Sequence, residues 1–165
     1  MITIEMLEVK NDEEFTDFLG DVFEHSPWIP EQATASRPFP TLLSLHQCMV
    51  DIVNRASKEA KLDLIRKHPN LGDKVEMTDD SIKEQRGAGL KDLTALEYEN
   101  FLTLNKRYMN KFGFPFILAV RGKDKNEIYE AMERRIHHTE KAEFETALSE
   151  IHQIALFRLQ EKIKS

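Results

Sequence analysis

The sequence predicts an all-α fold, a single-domain bundle of about seven or eight helices with a buried apolar segment at 114–120. Apolar residues recur every three or four positions through most of the chain, which is the spacing of one helix face. Nowhere do two runs of alternating apolar and polar residues flank a hairpin turn, so any sheet is expected to be vestigial. The 165 residues show no linker-like change of composition, which predicts one domain over residues 1–165.

Capping residues predict where the helices begin. Asn11 with Glu14, and Thr94 with Glu97, have the spacing of a capping box. The predicted starts are Asn11, Thr41, Ser57, Thr78, Thr94 and Asn126, with a last helix after the HHTE at 137–140. The proline-rich residues 25–40 predict an irregular crossing with at most a short helix begun at Pro30. Gly113 is expected to end the helix that Thr94 begins.

The most continuously apolar run is FPFILAVRG, residues 114–122. Its periodicity does not separate a buried strand from a buried helix, but Pro115 near its start and Gly122 at its end favour an extended segment. Phe114 and Phe116 are expected in the core. Arg121 either extends from the core into solvent or presents its donors to a carboxylate or carbonyl.

Charge and hydropathy exclude two classes of partner. The formal net charge of −6 and the pI of about 5.6 repel a phosphate backbone, so nucleic acid is not expected. No apolar run approaches the ~20 residues of a membrane span, and the acidic N-terminus lacks the features of a signal peptide. The single cysteine, Cys48, excludes an internal disulfide and fits a reducing compartment. We therefore expect a cytoplasmic protein without a membrane partner.

The stretch 68–90 is rich in titratable and turn-forming residues and lies between two helical patterns. Pro69 disfavours helical geometry in the preceding residue, so His68 is expected at the C-terminal end of a helix. Glu84 precedes the Gly-Ala-Gly at 87–89, and such permissive residues beside an acid indicate a close approach of the backbone to another group. His68 and Glu84 form an acid/base pair if the fold joins them. Otherwise His68 is a helix-end residue favoured by the helix dipole, and Glu84 belongs to a solvated helix face.

No metal or phosphate site is predicted. His137 and His138 are adjacent and therefore point to different sides of a helix, and the chain has neither HExxH nor a Cys/His cluster. The glycines at 87–89 lack the preceding strand and the following Lys-Ser/Thr of a phosphate loop. No serine-centred nucleophile elbow is present.

Several motifs together resemble the 2-oxo-4-hydroxy-4-carboxy-5-ureidoimidazoline (OHCU) decarboxylase family of urate breakdown. They are RPF at 37–39, HPNLG at 68–72, SIKEQRGAGL at 81–90, NKRYMNKFGFPFILAVRG at 105–122 and EIHQIALFRL at 150–159. Each part alone is weak, but the combination is specific. The resemblance implies an all-helical, usually homodimeric carboxy-lyase that converts OHCU to (S)-allantoin without a cofactor. Family members also occur fused to urate oxidase, which makes a fused or associated urate oxidase a candidate partner.

The resemblance also implies roles for particular residues. The His of the HP pair is the family's proton donor, which assigns catalysis to His68, and Glu84 as a carboxylate suits the task of holding the substrate hydroxyl. We predict that His68, Glu84, Gln85 and Arg121 line one pocket. The implied substrate-binding positions are Pro69, Ser81, Ile82, Lys83, Glu84, Gln85, Ile117, Leu118, Ala119, Val120 and Arg121.

The sequence is also compatible with a protein that is not catalytic. A helical interaction module, or an inactive enzyme of the same fold, would carry the same helices, with the apolar run as a groove for a partner. Turnover of fresh substrate to optically active allantoin distinguishes the two.

Overall fold

The computed structural model describes residues 1–71 and 79–164, and it confirms the all-α fold. The described residues form nine α-helices, and the only sheet among them pairs two-residue strands in parallel, β1 (Ile2–Thr3) and β2 (Ile163–Lys164). The helices are α1 (Ile4–Glu8), α2 (Asp12–Leu19), α3 (Trp28–Ala33), α4 (Leu42–Arg55), α5 (Lys58–Arg66), α6 (Asp79–Gly87), α7 (Ala95–Phe112), α8 (Lys125–Arg135) and α9 (Glu140–Lys162). The vestigial sheet was therefore predicted correctly.

The chain divides into two compact units. The first unit comprises Met1–Leu64 and His152–Ser165, and the second comprises Ile65–Ile151. Every predicted site residue falls within the second unit.

Most predicted helix starts are confirmed by side-chain caps. Asn11 and Thr94 form capping boxes with Glu14 and Glu97, as their spacing predicts. Thr41 also caps its helix, although the residue that returns the hydrogen bond is a serine rather than a glutamate. Ser57 Oγ accepts a hydrogen bond from the Ala60 N–H at 3.1 Å. These helix starts are therefore set by local sequence.

Three predicted starts have other outcomes. Asn126 is not the cap of α8, because the Asp124 side chain accepts from the Glu127 N–H and Glu127 returns the bond. An aspartate at this spacing from a glutamate completes a full capping box, which Asn126 could not do. The short helix α3 begins at Trp28 rather than Pro30. The predicted start at Thr78 lies outside the described residues.

One short helix, α1, was not predicted, and the Arg37 of the RPF motif holds its C-terminal end. The Arg37 guanidinium donates to the backbone oxygens of Leu7, Glu8 and Lys10 at 3.2, 2.8 and 2.7 Å. It also lies over the Phe15 ring, 4.4 Å from the ring centre. A cation that satisfies the last carbonyls of a helix stabilises so short a segment. The helix therefore depends on a residue that is distant in sequence.

In the second unit, the segment 114–120 is confirmed as buried along its whole length. It forms neither helix nor strand, in keeping with the extended segment that Pro115 and Gly122 favour. Gly113 ends α7 as predicted, with φ of 76° and its N–H bonded to the Met109 oxygen at 2.7 Å. Phe114 and Phe116 are core residues, each 1% exposed.

None of the helices in the described residues combines the length and apolar character needed to cross a membrane.

His152 lies in the part of α9 that belongs to the first unit, and its ring nitrogens are shielded from water. The ring packs edge-on against Phe23, with centroids 6.3 Å apart. Neither ring nitrogen has a hydrogen-bond partner within residues 1–71 and 79–164. Burial, reinforced by nearby His46, lowers the pKa of His152 from 6.5 to about 4. The folded state therefore favours a neutral His152.

We expect the free energy of unfolding to fall as the pH drops from 6.5 to about 4, because over this window the unfolded chain protonates His152 and the folded chain does not. The contribution is fully present above that window and amounts to about 1 kcal/mol per pH unit within it, after allowance for partial exposure. Urea unfolding of His152→Leu across this range should show a flatter pH dependence than the wild type.

His137→Gln is the control, because it removes an exposed histidine. It should keep the wild-type pH dependence. Equal pH dependence in the wild type and His152→Leu would contradict the prediction.

Candidate active site

His68 lies just beyond the end of α5 and is buried. The helix ends at Arg66, and the His68 N–H closes the last turn on the Ile65 oxygen at 3.1 Å. The residue is 7% exposed, so it is not a helix-end residue that faces solvent. Pro69 follows it and is half-buried. A buried imidazole is held in one place, as a proton donor to a single face of a substrate must be.

The predicted positions 81–85 lie on two different faces of helix α6. Ser81 and Gln85 are buried, with 4% and 8% exposure, and they share a face because they are four residues apart. Glu84 is half-buried beside them. Ile82 and Lys83 are exposed on the other side of the helix. The side chains of Ser81, Glu84 and Gln85 are therefore better placed than the other two for a buried ligand.

The predicted run 117–121 is also divided by burial. Residues 117–120 are buried, whereas Arg121 is exposed. Two backbone groups of the run have ionic partners: Arg135 Nη1 donates to the Ile117 oxygen at 2.7 Å, and the Ala119 N–H donates to Glu150 Oε1 at 3.2 Å.

Arg135 belongs to a buried ionic cluster that sequence reasoning missed. Its guanidinium pairs with Glu143, with Nε–Oε1 and Nη2–Oε1 distances of 2.9 Å, and both side chains are at most 5% exposed. Tyr108 donates its hydroxyl to the same carboxylate, and His138 Nδ1 lies 3.1 Å from Glu143 Oε2. Burial, followed by the hydrogen bond to Glu143, raises the pKa of Tyr108 above its usual range. The cluster thus fixes Arg135 where it can hold the Ile117 carbonyl.

Arg135 also stacks on the segment it holds. Its guanidinium carbon lies 4.3 Å from the centre of the Phe116 ring, within the range of a cation–π contact. One signal for this arginine is present in the sequence. Arg135 continues the apolar face formed by Ile128 and Met132, because those three positions are spaced by four and three residues.

Two side-chain contacts connect the chain on either side of His68 to α7 and to the start of the apolar segment. Arg66 Nε, next to the histidine turn, donates to the Gly113 oxygen at 3.1 Å. Asn105 Nδ2 of α7 donates to the Leu71 oxygen at 2.9 Å and holds the chain that follows the turn. One pocket lined by His68, Glu84, Gln85 and Arg121 stays a prediction.

The end of α6 and the chain after Arg121 line one open cleft of about 540 Å³. Gly89 and Gly122 both have φ of 77°, a conformation that side chains rarely adopt, so each can make its tight turn. The remaining lining residues are Gly87, Ala88, Asp92, Lys123, Asp124, Lys125 and Glu127. The cleft places the helix of Glu84 next to the run that ends at Arg121.

Within residues 1–71 and 79–164, no group of three or more His, Cys, Asp or Glu side chains is arranged to hold a metal ion.

Comparison with known proteins gives the family. The family model of OHCU decarboxylase matches residues 9–160. The chain belongs to the OHCU decarboxylase family. This agrees with the resemblance carried by the sequence motifs.

Two relatives differ in how much of their own length this chain matches. A 2-oxo-4-hydroxy-4-carboxy-5-ureidoimidazoline decarboxylase of Haloferax volcanii is 44% identical over 164 residues, covering 99% of this chain and 98% of its own. The uric acid degradation bifunctional protein PucL of Bacillus subtilis is 50% identical over 159 residues. That match covers 96% of this chain and only 32% of PucL, so the chain spans about a third of the bifunctional relative.

A solved structure supports the fold. The crystal structure of an (S)-allantoin synthase has a TM-score of 0.82 and 36% sequence identity, and the match covers 98% of this chain and 54% of that one.

We expect the Arg135–Glu143 pair to be strongly coupled in the free energy of unfolding. Arg135→Met alone leaves a buried carboxylate without its cation, and Glu143→Met alone leaves a buried guanidinium without its anion. Each single substitution should lower the free energy of unfolding by about 3–5 kcal/mol. The double variant removes both charges and should cost clearly less than the sum. Urea unfolding of the four proteins gives the coupling energy as a double-mutant cycle.

The Lys125–Glu97 pair is the matched control, because its Nζ–Oε1 distance is also short at 2.8 Å but both side chains are about one-third exposed. Its cycle should give a much smaller coupling. Additive effects in the Arg135–Glu143 cycle would contradict the prediction.

Proposed function

We propose that this chain decarboxylates OHCU to (S)-allantoin, with His68 as the proton donor and Glu84 as the acceptor for the substrate hydroxyl. The observation that carries the proposal is the buried His68 in the same compact unit as the buried face of α6 and the segment 117–120. Membership of the family supports the reaction.

The substrate's own chemistry explains why few protein groups are needed. The carbon that loses CO2 is adjacent to a ring C=N, and the electron pair of the broken C–C bond moves into that imine. A carbon–carbon double bond forms, and the imine nitrogen takes the negative charge. The substrate thereby acts as the electron sink that a cofactor provides in other decarboxylases. The chain's residues must orient the ring and control two proton transfers.

Glu84 is suited to hold the hydroxyl on the carbon that loses CO2. An ionised carboxylate accepts the O–H strongly, which increases electron donation from oxygen as the C–C bond breaks. That oxygen becomes the carbonyl of the product, and its hydrogen ends on the ring nitrogen that received the electrons. The half-buried position of Glu84 keeps the carboxylate close to the buried face of α6.

His68 is suited to protonate the ureido-bearing carbon. This step consumes one proton, which replaces the lost CO2, so an imidazolium can deliver it and be recharged from solvent near neutral pH. Because His68 is buried and its backbone is restricted by the Pro69 that follows it, delivery comes from one side. Delivery from one side gives a single enantiomer. Gln85, the backbone of 117–120 and Arg121 supply the donors and acceptors that orient the ring.

We also propose that the chain acts as a homodimer in the cytoplasm and next to a urate oxidase activity, fused or separate. The Bacillus subtilis relative supports the last point, because its name describes a bifunctional protein of uric acid degradation. Mass measurement in solution tests the homodimer, and co-purification tests the association with a urate oxidase.

The proposed activity is tested by adding the purified chain to freshly generated OHCU and following circular dichroism. Accelerated appearance of (S)-allantoin supports it. An unchanged rate, with racemic product, would contradict it and favour a non-catalytic module.

His68→Asn and Glu84→Gln should have different consequences for the product. Asn keeps much of the imidazole's volume and one donor but loses the transferable proton, so turnover should fall by about 10²–10⁴-fold. Any residual product should then be racemic, because its proton comes from water. Glu84→Gln should also slow turnover yet keep (S) selectivity, because the imidazolium still protonates one face. Circular dichroism of fresh product measures both effects.

Arg86→Gln is the matched control, because it alters an exposed residue on the same helix as Glu84 that lies outside the predicted substrate-binding positions. It should keep a rate close to wild type. Fully (S)-selective turnover by His68→Asn near the wild-type rate would show that the donor is another group.

A further inference from the structure

Leu118 lies between two peptide groups that ionic side chains hold from outside the segment. The carbonyl of the Ile117–Leu118 peptide accepts from Arg135 Nη1 at 2.7 Å. The N–H of the Leu118–Ala119 peptide donates to Glu150 Oε1 at 3.2 Å. Both are hydrogen bonds to charged groups, which are stronger than bonds between neutral groups. The orientation of both peptide planes is therefore fixed.

Peptide geometry determines where the other ends of these two groups point. In a trans peptide the C=O and the N–H point in opposite directions, and the only cis bond among the described residues is Arg37–Pro38. The Leu118 N–H therefore points away from Arg135, and the Leu118 C=O points away from Glu150. Leu118 is also the most exposed of the buried residues 117–120, at 9% against 3–5% for the others. Its donor and acceptor are the backbone groups best placed to meet a ligand.

We infer that Glu150 is a positioning residue of the site, acting with Arg135 to present the Leu118 N–H and C=O to the substrate ring. The ring of OHCU carries amide-type N–H and C=O groups, which pair with one backbone donor and one backbone acceptor. This inference rests on the proposed function. Glu150 touches the peptide rather than the substrate, and it acts through the orientation of Ala119.

Glu150 allows a cleaner test than Arg135. Arg135 is 4% exposed and belongs to the buried cluster, so its replacement destabilises the unit. Glu150 is half-buried, and within residues 1–71 and 79–164 the only hydrogen bond of its side chain is the one to Ala119. Replacing it alters one peptide group and leaves the buried ion pair in place.

The kinetic test compares Glu150→Ala with Glu150→Gln. Loss of the acceptor in Glu150→Ala should raise KM about three- to tenfold, as expected for one weakened hydrogen bond to the ligand. The kcat should stay within about twofold, because the affected contact binds substrate and transition state alike. Glu150→Gln keeps an oxygen acceptor and should restore KM. Glu145→Ala, an exposed substitution on the same helix, is the matched control and should match the wild type.

A second measurement does not depend on turnover. The Ala119 amide should exchange its hydrogen slowly in the wild type and in Glu150→Gln, and faster in Glu150→Ala. In an NMR titration with (S)-allantoin, the Leu118 amide resonance should shift in the wild type and Glu150→Gln, and should need a higher allantoin concentration in Glu150→Ala.

Wild-type KM in Glu150→Ala would overturn the inference while the proposed function stood. Equal defects in the Gln and Ala variants would also overturn it, because the hydrogen-bond acceptor would not be the cause. A wild-type chain without turnover overturns the proposed function and, with it, the inferred role toward the substrate.

Discussion

A buried segment outside any helix or sheet must find hydrogen-bond partners for its backbone, and residues 114–120 impose this constraint on the second unit. Water cannot supply the partners where the chain is fully covered. Arg135 and Glu150 provide two of them from α8 and α9, one as a donor to a carbonyl and one as an acceptor from an N–H. A segment held in this way can bring backbone groups to a ligand without forming a sheet.

The use of an arginine for this task has further consequences. A buried guanidinium requires a counter-ion, which Glu143 supplies, and both carboxylate oxygens need hydrogen-bond partners. Tyr108 of α7 donates to Oε1, the oxygen that Arg135 also contacts, and His138 in the turn between α8 and α9 lies against Oε2. The cluster therefore fixes α7, α8 and the start of α9 around Phe116 and Ile117. It contributes a defined arrangement more than a large net stabilisation, since desolvation of the charges offsets much of their attraction.

The candidate site residues lie where regular structure stops or turns. His68 follows the end of α5, Glu84 lies near the end of α6, and Arg121 begins the turn completed by Gly122. Helix ends and irregular chain can approach a small ring more closely than the side of a helix can. The rigid helices behind them keep these positions fixed, which suits a reaction that must deliver one proton to one face.

Local sequence by itself determined the all-helical class, most helix starts, the end of α7 at Gly113 and the burial of 114–120. These features follow from periodicity, capping side chains and turn residues, which act within a few positions. The motifs also gave the family, because five separated segments match together.

Only the tertiary structure decided which of the residues 81–85 face inward, that His68 is buried, and that Arg135, Glu143 and Glu150 hold the apolar segment. Local signals cannot reveal these, because the partners are 18 to 31 positions apart for the two backbone contacts. An arginine on a helix that ends in charged residues resembles a solvated one until its counter-ion is known. Asp124 as the cap of α8 is the exception, since its spacing from Glu127 was present in the sequence. Hydrogen bonds between charged side chains and a distant backbone segment form only when the chain folds. The sequence specifies them, but no local pattern in it reveals them.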